Sequence, residues 1–150
     1  LVHDPTPLCK ALTRYPQTLV HTDVRMANLG LERGRRPRLI MLDWARQTRT
    51  VPAVDLAYYL VTSNSSQVPI SFEHSIDLYK QQLAQRLGDG FDESWWQPQL
   101  ELSLLGTFAT MACFTAWGAE HAGEEADRMS DRADLQWCAD RTQIGARLLA

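Results

Sequence analysis

An α+β fold, mostly helical, is predicted by three features of the sequence. Short β-favouring runs bounded by turn residues crowd into the first third of the chain. Helical spacing of apolar residues takes over after residue 55. The polar triplet His21, Asp23 and Asn28 stands directly behind the first apolar run.

In chain order, Thr6-Pro7 predicts a helix start, with a hydroxyl cap and proline at the first helical position, and Leu8, Ala11 and Leu12 on one face; Pro16 ends it. Thr18-Leu19-Val20 predicts a short buried strand leading into the triplet. Leu29–Leu31 and Leu39–Leu42 predict a hairpin whose turn is marked by Gly34 and Pro37. Pairing the two strands symmetrically about that turn sets Asn28 beside Asp43 at the open mouth, next to Asp23; facing Cβ atoms in such a pair lie about 4.5–5.5 Å apart. Residues 45–54 read as a loop, and Asp55-Leu56-Ala57 opens an apolar helix through Val61, followed by a polar connection over 63–68. Ser71 caps a helix with Phe72, Ile76, Tyr79, Leu83 and Leu87 on its stripe and Gly88 just past its end. A Trp-rich stretch over 91–98 leads to a helix from about Gln99 to Trp117, apolar nearly all round and therefore central. An acidic connection over 123–130 precedes a last amphipathic helix from Asp131 to Leu149.

The bulk properties narrow the function classes. With 150 residues, 45% hydrophobic and 22% charged, the chain reads as one soluble domain able to bury a core. A net charge of −3 gives no reason to expect nucleic acid or an anionic membrane as partner. Three cysteines without paired spacing, Cys9, Cys113 and Cys138, argue for a reducing, cytoplasmic setting and against a disulfide framework. No signal-peptide pattern opens the chain, and the apolar segment 102–118 reads as too short and too interrupted by Ser and Thr to span a bilayer.

A carboxylate and an amide oxygen meeting at a hairpin mouth suit magnesium, which takes oxygen ligands and shares them with substrate phosphates. An aspartate five residues before the asparagine can accept a proton from an attacking hydroxyl. Together these are the parts of phosphoryl transfer: a loop Asp as base, a loop Asn on metal and a second Asp on metal.

The stretch from about Pro16 to Leu60 resembles the catalytic core of the aminoglycoside phosphotransferase and choline kinase-like family, which has a protein-kinase-like fold. It carries His21-Thr22-Asp23, then Asn28, then Leu42-Asp43-Trp44, then Asp55-Leu56-Ala57, in the family's order and spacing over 37 residues. The resemblance implies Asp23 as catalytic base and Asn28 and Asp43 as magnesium ligands. It implies His21 as a brace of the catalytic loop and Asp55 as a tie on the loop backbone. Arg25, two residues after the base, is expected to contact the transferring phosphate. Thr22 replaces the family's glycine. The 11 residues between Asp43 and Asp55, with no A-P-E motif after them, point away from protein kinases and towards a small-molecule acceptor.

The resembling fold is bilobal, and nothing before Pro16 encodes a glycine-rich loop with a following lysine. Residues 1–150 are thus expected to form the C-terminal lobe alone, with the nucleotide lobe missing. The implied activity is ATP- and Mg2+-dependent transfer of the γ-phosphate to a small molecule's hydroxyl. A non-catalytic truncated lobe, a pseudokinase-like binding module and a magnesium-dependent hydrolase stand as alternatives. So do plainer readings of single residues: Asp55 as a helix N-cap, Trp95, Trp96 and Trp117 as core rather than pocket lining, and Glu120, Glu124, Glu125 and Asp127 as a solvated loop.

Overall fold

The computed structural model describes residues 3–63, 70–121 and 124–149, leaving aside the side chains at 115 and 118. Its described elements are α1 (Thr6–Leu12), β1 (Thr18–Val20), β2 (Leu29–Glu32), β3 (Arg38–Met41), β4 (Thr48–Thr50), α2 (Ala53–Thr62), α3 (Phe72–Leu87), α4 (Glu93–His121) and α5 (Glu125–Arg147). The mostly helical α+β expectation holds: two small antiparallel sheets, β1–β4 and β2–β3, sit ahead of a helical bundle. The polar connection expected over 63–68 lies outside the described residues beyond Ser63.

Each helix follows from local chemistry, with several boundaries shifted. At α1 the cap is not Thr6; the Asp4 carboxylate accepts the Thr6 N–H at 2.9 Å, because Thr6 is itself helical. Ser71 caps α3 by accepting the His74 N–H at 3.2 Å, and Gly88 follows at φ +53, where a side chain would be strained. Helix α4 starts at Glu93 and so absorbs the Trp-rich stretch and Pro98. The Asp92 side chain accepts the Ser94 N–H at 2.8 Å and opens that helix. The expected acidic connection is helical from Glu125 onward, so α5 starts six residues before Asp131.

Helix α4 is the spine, packing against α1, α2 and α5. Leu56, Leu60, Phe72, Ile76, Trp96, Leu100 and Leu104 share the main core, and Leu102 faces Leu8 and Ala11 in a smaller one. Helix α5 seats closely on α4 at Gly145, where an added Cβ would lie 2.5 Å from the Glu101 carbonyl oxygen. Beside it a buried Glu101 carboxylate meets Arg141 at 2.8 Å. By length and composition alone α4 is long and apolar enough to cross a membrane, contrary to the reading of 102–118 as too short. In the fold its first half is taken up by the core. Its last turns are open, with Phe114 67% and Trp117 65% exposed, so the expectation of a wholly buried helix and a core Trp117 is corrected. Trp96 is core as expected.

The segment read as a loop after Asp43 contains β4, which pairs with β1 in the register Thr18↔Thr50, Leu19↔Arg49, Val20↔Thr48. It places the end of β1, and hence the polar triplet, directly over the start of α2.

Candidate active site

The loop after β1 is held by backbone bonds to one side chain. The Asp55 carboxylate, in the first turn of α2, accepts the His21 N–H at 2.9 Å and the Thr22 N–H at 2.7 Å. Asp55 is therefore not the N-cap of α2, which starts at Ala53; its charge is spent on the loop. Thr22 sits at φ +62, a left-handed conformation that is strained for a β-branched residue. Its hydroxyl donates to the Arg46 carbonyl at 2.6 Å, which helps to hold it there.

His21 is fully buried and ties the loop to the hairpin. The Asp23 N–H donates to Nδ1 at 3.2 Å, so the ring proton lies on Nε2, which donates to the Leu42 carbonyl at 2.7 Å. The Trp44 ring packs edge-on against it at 4.7 Å. Leu42 closes the circuit through its other backbone group: its N–H donates to the Asn28 carbonyl at 2.9 Å.

Asp23 and Asn28 meet directly. The Asn28 amide nitrogen donates to the Asp23 carbonyl at 2.9 Å and to Asp23 Oδ2 at 3.0 Å. That assigns the nitrogen end of the amide to the aspartate and leaves its oxygen end for another partner. Asp23 is 5% exposed, and its Oδ1 has no hydrogen-bond partner, meeting Arg25 Nε only at an ion-pair distance of 3.4 Å. Burial raises the Asp23 pKa, but the Tyr58 hydroxyl, Arg25, Asn28 and Arg46 together outweigh it and hold the carboxyl below its ordinary value. Tyr58 is near enough to stabilise that charge without forming a well-aligned hydrogen bond; burial and then Asp23 push its own pKa up.

Asp43 does not pair with Asn28 as expected. The hairpin register is Leu29↔Met41 through Glu32↔Arg38, which sets Asn28 opposite Leu42 and Asp43 one residue beyond. The slip has a cause: five residues, 33–37, form the turn, and Arg38 closes it with an ion pair to Glu32 at 2.6 Å. Asp43 then leaves the strand direction at φ 60, exposed, with no hydrogen bond or ion pair among the described residues. The chemistry of the donor set still fits magnesium: an amide oxygen and an exposed carboxylate, both hard oxygen donors. It does not suit a closed structural metal centre, since no group of three or more His, Cys, Asp or Glu side chains is arranged for one among the described residues.

The front of the site opens on a cleft of about 450 Å³, bounded by Arg25 and Tyr58, by Met111, Phe114 and Trp117 of α4, and by Asp131 and Asp134 of α5. The sequence reading missed Tyr58, Leu42 and Arg46. Tyr58 had a signal: it stands three residues after Asp55, on the same face of α2. Leu42 acts through its backbone and has none.

The model of the ecdysteroid kinase-like family matches residues 3–89, which hold the whole constellation from His21 to Tyr58. No curated protein and no solved structure matches the chain. The resemblance to aminoglycoside and choline kinases is therefore supported at the broader level of the protein-kinase-like superfamily, and not for those kinases themselves.

Proposed function

This chain belongs to the ecdysteroid kinase-like family, whose members are kinase-like phosphotransferases, and from that premise we propose that it moves the γ-phosphate of ATP to the hydroxyl of a small molecule. The observation that carries this reading is the pairing of a buried Asp23 with the Asn28 amide at the edge of an open cleft. On this reading residues 1–150 serve as the C-terminal lobe of a protein-kinase-like enzyme.

The acceptor occupies the cleft with its hydroxyl on Asp23 Oδ1, the oxygen that no hydrogen bond claims. A carboxylate held below its ordinary pKa is a weak base. Its first task is thus to orient the hydroxyl, and it takes the proton late, as the new O–P bond nears completion and the γ-phosphorus–oxygen bond to the departing ADP breaks. Arg25 is 52% exposed and loosely paired, so its guanidinium can exchange Asp23 for phosphoryl oxygens. The Asn28 oxygen and the Asp43 carboxylate would hold magnesium, which would supply neutralisation of charge on the phosphates. His21, Thr22 and Asp55 keep the base in place while these exchanges occur.

The test is transfer of labelled phosphate from ATP to a panel of alcohols, with the unaltered protein and with Asp23→Asn and Asn28→Ala. Product with the unaltered protein, and its loss in both variants, supports the reading. Undiminished transfer by Asp23→Asn overturns the role of Asp23. Phosphate release that is independent of any alcohol favours hydrolysis instead.

A further inference from the structure

We infer that a second small-molecule site lies behind the catalytic loop, built for a short amphiphile with a carboxylate head. A cavity of about 260 Å³ separates α1 and α4 from the loop and the start of α2. Leu8, Leu12, Val54 and Leu102 give it an apolar side. Thr22, Arg46 and Thr107 give it a polar one. At roughly 30 Å³ per small non-hydrogen group, it holds about eight such atoms.

Two features select the ligand's chemistry. Among the described residues of the lining Arg46 is the only charged one, so an anionic head is favoured over a cationic one. Thr107 is 8% exposed, and its hydroxyl makes no hydrogen bond among the described residues, although Thr107 belongs to the cavity wall. That hydroxyl is not among the described atoms that are fully buried without a partner, so it stays open to water, and a carboxylate oxygen in the cavity would accept its hydrogen bond in water's place. The apolar side then takes the chain of the amphiphile.

Occupancy reaches the catalytic side by two routes. Thr22 forms part of this wall and immediately precedes Asp23. Tyr58 lines both this cavity and the front cleft. Binding here does not depend on the phosphotransfer reading; only its effect on activity does.

Hexanoate, with eight non-hydrogen atoms, is the probe, and hexanol and hexylammonium are its controls. Backbone amide NMR should show saturable hexanoate shifts at Thr22, Tyr58 and Thr107. Loss of a hydrogen bond in Thr107→Val, or of the guanidinium in Arg46→Gln, should weaken binding about fivefold or more. No saturable shift up to about 10 mM, where a ~1 mM site would be mostly filled, overturns the site. Equal binding of hexylammonium, or binding unchanged in both variants, overturns the assigned chemistry. Where transfer to an alcohol is measurable, hexanoate should alter its rate in the unaltered protein and not in Thr107→Val. Hexanoate binding in a protein that transfers no phosphate counts against the kinase reading alone.

Discussion

Replacing Asp55 with alanine tests what holds the loop after β1. The change removes two short bonds, from the His21 N–H at 2.9 Å and the Thr22 N–H at 2.7 Å. Bonds to a charged acceptor contribute about 1.5–3 kcal/mol each, so the gross loss is ~3–6 kcal/mol. The carboxylate is only part-buried, and water can replace it on Thr22, which favours the low end. The freed loop also lets Thr22 leave φ +62, returning about 1 kcal/mol of backbone strain. The net expectation is a loss of about 2–3 kcal/mol, or roughly 5–10 °C in Tm for a domain of this size. Urea unfolding followed by Trp fluorescence measures it. A second variant separates the two terms. Thr22→Gly relieves the strain but loses the 2.6 Å bond to Arg46, so alone it should change stability by less than about 1 kcal/mol. In the Asp55→Ala background the strain is already relaxed, so glycine should then destabilise more than it does alone. A loss below about 1 kcal/mol for Asp55→Ala, or strict additivity of the two changes, would refute this account of the loop.

Three further outcomes are expected. The Asp23 pKa is depressed in the folded protein, so the stability it contributes is present above the ordinary carboxylate pKa and lost as pH falls through the folded value. The difference in urea midpoint between the unaltered protein and Asp23→Asn should therefore shift between about pH 6 and pH 3, with the unaltered protein losing more on acidification. Gly145→Ala forces a Cβ against the Glu101 carbonyl and should destabilise the α4–α5 pair by about 1–3 kcal/mol, read as a lower denaturation midpoint. Cys138 is buried, and burial with the nearby Asp134 pushes its thiol up to about 12. A thiol reagent near pH 8 should label exposed Cys9 and Cys113 in the native protein and reach Cys138 only after unfolding.

Much of the helical framework can be read directly because its signals are local. Ser71 and Gly88 bracket α3 within a residue or two of their expected places, since a hydroxyl cap and a left-handed glycine act on their own backbone. β4 is invisible by comparison: Thr-Arg-Thr has no alternating apolar pattern and becomes a strand only because β1 offers it an edge. The hairpin is legible but its register is not, because a shift of one residue depends on the turn and on the Arg38–Glu32 contact that closes it.

The same division runs through the site. Residue spacing, together with the family resemblance, grouped His21, Asp23, Asn28, Asp43 and Asp55 as one expected constellation, because phosphoryl transfer needs a base, hard oxygen donors and a rigid loop at nearly fixed separations along the chain. Only the tertiary structure decided how they meet. It put the Asn28 nitrogen on Asp23, placed Leu42 rather than Asp43 opposite Asn28, spent the Asp55 charge on two backbone amides, and set Tyr58 between a front cleft and a rear cavity. Those outcomes depend on backbone hydrogen bonds and on packing between residues distant in sequence, which no local pattern of side chains encodes.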